Sequence, residues 1–383
     1  MTPQETPPRT PSPEDNVPKV YGGLPVMTWK SYRENLRNST PEYHLARDLP
    51  HKFQDHINFM SELARKYPQW SKNFEIMVAE TNARDEPEAP PITLFNEVDD
   101  EPAPPWEFHY TNKMWLGENV PPPSYKALKS CGCVGKCDPK SKTCECVKRQ
   151  EELTGFYQSG FLYEKNGLLK QAGLPILECN SLCGCDEDCM NRVVQNGRKC
   201  DVSVGKTREK GWGVFNGPKE IPRGTFIGIY AGELLADAVA EERGAKYNVF
   251  GRTYLFDIDF YYIKDMVKDW SGNSKYTVDA YHAGNFTRFL NHSCDPNAAL
   301  TPVYIDESDW EKPLLTIFAK RNIPPWDEIT FSYSGDPDNN EEEVSAQNDA
   351  VYTECRCGSR RCKGTMFGGY DEDEDEPEDD EFS

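Results

Sequence analysis

Fourteen cysteines carry the chemistry that is legible first in this 383-residue chain. Nine fall between residues 131 and 189: Cys131, Cys133, Cys137, Cys144 and Cys146, then Cys179, Cys183, Cys185 and Cys189. Three more, Cys355, Cys357 and Cys362, lie near the C-terminus, and Cys294 stands alone in Arg288-Phe-Leu-Asn-His-Ser-Cys294. Spacings of one and three residues are too tight for ordinary disulfides but suit thiolates converging on a metal. A structural zinc takes four tetrahedral ligands. Nine thiolates fill two such sites and leave one sulfur over. They also fill three sites if three sulfurs each bridge two ions, and then every one of the nine is used. Cys294 with Cys355, Cys357 and Cys362 makes a further four-thiolate site, giving about four zinc ions in all. That last site staples the C-terminal segment to whatever Asn291 and His292 help to form. Cys200 has no evident partner and reads as a buried free thiol.

The chain begins Met-Thr-Pro-Gln-Glu-Thr-Pro-Pro and has no apolar signal core, nor any run near the ~20 apolar residues of a membrane span. The expectation is a reducing compartment, cytosol or nucleus, where clustered cysteines mean metal or catalysis. The formal charge is −21, and ten of the thirteen residues 371–383 are Asp or Glu. Such a chain is a poor ligand for DNA phosphates. It suits a basic partner such as a lysine- and arginine-rich peptide.

Something must position these groups. Residues 1–19, rich in Pro, Thr and Glu, read as disordered. Residues 20–90 read as an accessory helical region. Within it Phe53, Ile57, Met60, Ala64 and Tyr67 fall at helical spacing, Pro68 interrupts, and Trp70, Phe74, Met77 and Val78 resume the pattern. Residues 83–106 read as an acidic, proline-rich linker. The cysteine module spans 91–197. Its inner stretch, 147–178, is expected to be an exposed loop with a helical patch around Asn166–Ala172. From 198 to 335 the texture changes to short β-branched and aromatic runs: Val202–Val204, Phe226–Tyr230, Tyr254–Ile258, Tyr276–Val278, Leu314–Ala319 and Ile329–Phe331. Gly and Pro punctuate them, which predicts a mainly β domain of small curved sheets with short helices. An acidic loop, 336–350, precedes the second cysteine module at 351–370, and an acidic, disordered tail fills 371–383.

Four motifs run in order through the β region: Lys210-Gly-Trp-Gly213, Tyr230-Ala-Gly-Glu233, Arg288-Phe-Leu-Asn-His-Ser-Cys294 and Glu328-Ile-Thr-Phe-Ser-Tyr333. With the cysteines around them, these motifs resemble the SET-domain protein lysine methyltransferases, above all the fungal histone H3 lysine-9 enzymes of the Su(var) type. The likeness spans roughly residues 91–370, with the nine cysteines as the pre-SET module and Cys355, Cys357 and Cys362 in the post-SET module. It implies a SET fold with a knot-like threaded segment. It also implies methyl transfer from S-adenosylmethionine to lysine 9 of histone H3 in nuclear chromatin, supporting heterochromatin and silencing. Lys210, Gly211, Trp212 and Gly213 would then contact the amino-acid end of the cofactor, and Arg288, Asn291 and His292 would hold it. Tyr333 matches the catalytic tyrosine. Tyr230 and Tyr254 match aromatic residues of the lysine channel or its cofactor side. Asp257 and Asp259, in Tyr254-Leu-Phe-Asp-Ile-Asp259, stand where relatives read an arginine beside the target lysine. Phe331 occupies the position where relatives carry Phe or Tyr, and Phe implies a trimethylated product. Two departures stand out. Lys206 replaces a frequent Arg, and residues 20–90 show no aromatic-cage chromodomain. Two other readings fit the same residues, namely a methyltransferase for a different lysine and a silent chromatin-binding module.

Overall fold

A computed structural model of the chain describes residues 20–21, 24–25, 44–335 and 354–366, apart from 67–68, 106–107, 126, 156–158, 250–253 and 269. The segments expected to be disordered, 1–19 and 371–383, and the acidic loop 336–350 lie outside the described residues.

Helices α1 (Leu49–Lys66) and α2 (Trp70–Asp85) flank Pro68, as the apolar spacing predicts. Helix α2 ends where Glu86, at φ −138° and ψ 65° outside the helical region, precedes Pro87; a residue before proline is disfavoured in the helical region. Met60, Phe74, Met77 and Val78 are buried. Trp70 is not, and the side chains of Phe53, Ile57, Ala64 and Tyr67 lie outside the described residues. These helices do not form a separate accessory unit. Phe74 packs 6.2 Å from Phe289, next to the third motif, so α2 belongs to the main core.

Two five-stranded sheets and one of four strands, with two two-stranded pairs beside them, make up the β structure of the described residues. The first runs in the order Asn291–His292, Glu328–Phe331, Trp212–Asn216, Val202–Lys206, Ile92–Phe95. The second runs Leu255–Asp257, Tyr276–Asp279, Glu233–Ala236, Trp115–Leu116, His44–Leu45. The third runs Phe226–Ile229, Leu314–Ala319, Ala298–Tyr304, Ile176–Leu177. Each of the six predicted β runs coincides with or overlaps one of these strands.

Two expectations are corrected. Residues 83–106 are not merely a linker, because Ile92–Phe95 pairs in parallel with Val202–Gly205 and closes the edge of the first sheet. The acidic and proline-rich flanks hide this four-residue apolar run, which Glu75 anchors by accepting a bond from the Leu94 N–H at 3.0 Å. Nor is 147–178 an exposed loop. Its helix, α3, is Glu145–Leu153, and Asn166–Ala172 is not helical. Instead Tyr163 bridges Leu169 around a turn with Gly167 at φ +81°, the left-handed value that an Asn-Gly pair accommodates. Phe161, Leu162 and Tyr163 are fully buried, the last two in an apolar cluster with Val303 and Phe318 of the four-stranded sheet.

Candidate active site

The sulfurs converge as their spacing demands. Cys131, Cys137, Cys179 and Cys185 form one group, Cys133, Cys137 and Cys144 a second, and Cys146, Cys179 and Cys183 a third. Cys137 and Cys179 each belong to two groups, which is the sharing that a bridged cluster requires. Cys189 is held below the ordinary thiol range, at about 6, first by Cys137 and then by Cys179. A tetrahedral ion with metal–sulfur bonds of ~2.3 Å places its sulfurs ~3.8 Å apart. The Cys137–Cys179 and Cys146–Cys183 separations are 3.8 and 3.7 Å, so the donor set fits zinc. A cluster of many thiolates stays anionic around divalent cations. The buried Arg192 offsets that charge, with its Nε 3.4 Å from the Cys185 sulfur. Nothing in the cysteine spacing marks Arg192.

The second module assembles as expected: Cys294, Cys355, Cys357 and Cys362 form one group, with Cys294 and Cys355 sulfurs 3.8 Å apart. It leads straight to the third motif. His292 Nε2 lies 3.4 Å from the Cys294 sulfur, while its Nδ1 accepts the Tyr333 backbone N–H at 3.1 Å. Burial, and then the Lys363 and Lys210 cations, hold the imidazole down at about 4. A neutral ring that accepts at Nδ1 carries its proton on Nε2, facing the sulfur. Cys200 belongs to neither thiolate module; its thiol donates to the Phe226 carbonyl at 3.8 Å and is pushed up to about 11 by burial.

Strands Val202–Lys206 and Trp212–Asn216 form a hairpin. Its loop closes through Thr207, whose N–H and Oγ1 both donate to the Gly211 carbonyl, and Gly211 sits at φ +74°. Only glycine takes that value without strain. Gly213 is needed for a different reason. A Cβ there would lie 2.8 Å from Glu328 Oε1 and 2.9 Å from Asn291 Nδ2. Those two atoms bond each other at 2.8 Å, and Asn291 also donates to the Trp212 carbonyl at 3.2 Å. Glu328 further pairs with Lys210. The first, third and fourth motifs therefore meet through Glu328, a residue inside a recognised motif whose role the sequence did not assign.

Parallel pairing of Asn291–His292 with Thr330–Phe331 brings the ring residues together. The Phe331 ring is central, 5.1 Å from Tyr333, 5.9 Å from Phe256 and 6.3 Å from Tyr230. Tyr333 donates its hydroxyl to the Leu290 carbonyl at 2.8 Å, and Tyr230 donates to the Tyr254 carbonyl at 3.1 Å. Burial raises both phenols well above their ordinary range, so both stay neutral hydroxyls. Arg288 lies between the rings of Phe108, at 4.0 Å, and Tyr254, at 4.3 Å, and donates to the carbonyls of Ala280 and Tyr281. Phe108 and Phe256 complete the site. Phe256 sits within the quoted Tyr254–Asp259 run, whereas nothing in the sequence marked Phe108.

Of the two carboxylates, Asp257 follows Phe256 on its strand, so alternation turns it to the opposite face. There it accepts a bond from Thr277 Oγ1 at 2.6 Å. Asp259 is exposed just beyond the strand end. Crowding by the protein, and then the Asp257 charge, push its carboxyl above the ordinary range.

Residues 84–192 match the Pre-SET motif family and residues 211–334 the SET domain family. A histone-lysine N-methyltransferase of Schizosaccharomyces pombe, H3 lysine-9 specific, is 38% identical over 289 residues, 73% of this chain and 56% of its own length. The solved Neurospora SET domain protein DIM-5, a histone lysine methyltransferase, is 32% identical with a TM-score of 0.56, the match covering 63% of this chain and 95% of that one. KRYPTONITE, solved with DNA, an H3(1-15) peptide and SAH, is 27% identical with a TM-score of 0.57, over 72% of this chain and 51% of that one. The chain thus belongs to the SET-domain family, in the form that carries a Pre-SET motif. It spans between a fifth and two thirds of the length of the curated relatives it matches.

Proposed function

We propose that this chain is an S-adenosylmethionine-dependent protein lysine methyltransferase acting on lysine 9 of histone H3, in the nucleus and on chromatin, in support of heterochromatin and silencing. One observation carries the reading. The ring cluster of Tyr230, Phe256, Phe331 and Tyr333 is joined through His292 and Asn291 to the glycine turn at 211–213. An apolar ring cluster, fit to wall a lysine channel, thereby abuts a turn able to approach a ligand closely. The domain division follows the same reading: pre-SET at 91–197, SET at 198–335 and post-SET at 351–370.

Lys210, Gly211, Trp212, Gly213, Tyr254, Arg288, Asn291 and His292 would hold the cofactor. The buried Trp212 Nε1, without a hydrogen-bond partner among the described residues, fits a polar ligand there. When bound, S-adenosylmethionine supplies an electrophilic methyl group on a sulfonium. The chain's own residues prepare the amine. The rings exclude water and disfavour the ammonium form. Tyr333, neutral and fixed on Leu290, orients the nitrogen lone pair. Since neither phenol ionises near neutrality, neither acts as the base, and the proton leaves to water before attack. Asp259, and with it Asp257, offers charge-assisted pairing to an arginine beside the target lysine.

Free lysine has a pKa of about 10.4. The neutral fraction therefore rises with pH, and the buried Tyr230 and Tyr333 phenols, both held above their ordinary range, do not titrate against it. Turnover should climb from pH 7 toward about 9 under conditions where chemistry limits the rate. A flat profile there would contradict the reading.

Phe331 governs how many methyl groups are added. It has no hydroxyl to hold a water beside the amine, so a methylated amine has room to rotate. Trimethyl-lysine is the expected end product. Phe331→Tyr should stop the reaction at mono- or dimethyl-lysine with the first transfer largely kept. A mass-resolved time course checks this, and wild type stalling at monomethyl with substrates in excess would refute it.

The substrate itself is tested by methyl transfer to a panel of H3 peptides, each with one lysine blocked. Only blockade of lysine 9 should abolish the product. Persistence of product with lysine 9 blocked would assign a different lysine, and no transfer to any peptide would favour a non-histone substrate or a silent module.

A further inference from the structure

Lys206, the departure from a frequent arginine, occupies a built position. It stands directly opposite Trp212 across the hairpin, and its Nζ lies 5.4 Å from the centre of the indole ring. Its side chain is only 15% exposed, so the cation is largely withdrawn from water. Two carboxylates hold it there: Glu101, in direct contact, and Asp99 at 3.5 Å.

Those carboxylates come from a loop with its own internal order. Asn96 donates to Asp99 Oδ1 and to the Glu101 carbonyl, each at 2.7 Å, and its Oδ1 accepts the N–H groups of Val98 and Asp99. Asp99 Oδ1 in turn accepts the Glu101 N–H at 3.0 Å. The loop follows directly on the edge strand Ile92–Phe95, which registers Phe95 opposite Gly205, one residue before Lys206. Pairing of the strand therefore delivers the acids to the lysine.

Trp212 depends on this arrangement. Its Nε1 is buried with no hydrogen-bond partner among the described residues, so no bond of its own fixes the ring plane. What lies on its face is the Lys206 ammonium, attracted to the negative face of the indole. The lysine thus reaches the ring while Glu101 and Asp99 neutralise its charge.

We infer that Lys206 is a positioning residue for the cofactor turn, held by Glu101 and Asp99 so that it sets the plane of Trp212. The inference rests on the proposed methyltransferase reading, in which Trp212 lines the cofactor site. It makes the 96–101 loop, which lies within the Pre-SET match, part of the cofactor machinery of the SET domain.

The test is calorimetric binding of S-adenosylhomocysteine to the full chain and its variants, with peptide KM and thermal unfolding measured alongside. Loss of a desolvated cation–ring contact should weaken binding about tenfold in Lys206→Met, and Glu101→Gln should do so to a lesser degree. Peptide KM should hold steady in both. Lys206→Arg keeps the charge and can lay its planar guanidinium on the indole, so it should hold affinity to within about twofold of wild type. The two losses should also fall short of additive in the double variant, because both act through one contact. Affinity unchanged in Lys206→Met overturns the inference. So does a loss that arrives with an equal rise in peptide KM and a matching fall in Tm, and that Arg does not rescue. If wild type binds no S-adenosylhomocysteine at all, the methyltransferase reading itself fails, which is a separate result.

Discussion

Tyr333→Phe should cut turnover by about a hundredfold or more while cofactor affinity stays near wild type. The substitution removes one oxygen and almost no volume. The aromatic ring keeps its place 5.1 Å from Phe331, and the backbone N–H still bonds His292. What disappears is the hydroxyl that Leu290 fixes at 2.8 Å. If that hydroxyl orients the amine, the loss falls on kcat, since the cofactor turn at 211–213 is held by Asn291 and Glu328 instead. Single-turnover kinetics with cofactor saturating separate the two effects. Near-normal turnover would reduce Tyr333 to a packing residue.

Metal removal should be the other large effect. Thirteen of the fourteen cysteines stand in the two thiolate modules, so active protein should hold about four zinc ions per chain. Binding at a structural zinc site is worth about 10–16 kcal/mol, comparable with the whole stability of a domain. Stripping the metal should therefore unfold the cysteine modules rather than merely loosen them. The order of loss is also set. Cys362 is exposed and Cys357 half-buried, whereas eight of the nine pre-SET sulfurs are buried. A chelator should take the post-SET ion first. With it goes the Cys294–His292–Tyr333 chain of contacts, so activity should vanish when about one ion per protein has been released. Elemental analysis that finds two ions or fewer in fully active protein would sink the four-ion assignment.

The sequence made the chemistry more legible than the architecture. Tight Cys-x-Cys spacing leaves few geometric options, and the sulfurs converge accordingly. The six β runs are bounded by Gly and Pro and were readable for the same local reason. Ile92–Phe95 was missed because its flanks are acidic and proline-rich, and its pairing partner lies more than a hundred residues away. The stretch 147–178 was misjudged as exposed because burial of Leu162 and Tyr163 depends on Val303 and Phe318. No local pattern reports that. Trp212–Asn216 and Ala298–Tyr304 are strands that short apolar periodicity does not isolate, since Gly213 interrupts the first and Pro302 the second. The site was found through its motifs, but Glu328 and Phe108 emerged only from contacts between segments.

The pairing of Asn291–His292 with Thr330–Phe331 also has a meaning during synthesis. A growing chain leaves the ribosome N-terminus first, and the nine pre-SET thiols emerge and can load metal while the rest is still being made. The strand that carries Phe331 then has to find its partner thirty-nine residues back, in parallel. Cys294 lacks its full set of companions until Cys362 has emerged. A polypeptide arrested anywhere before that point can be partly folded and metallated yet unable to hold Tyr333 in place. On the proposed methyltransferase reading, translation thus withholds catalytic competence until Cys362 has emerged, so products terminated before it would be inert rather than misdirected enzymes.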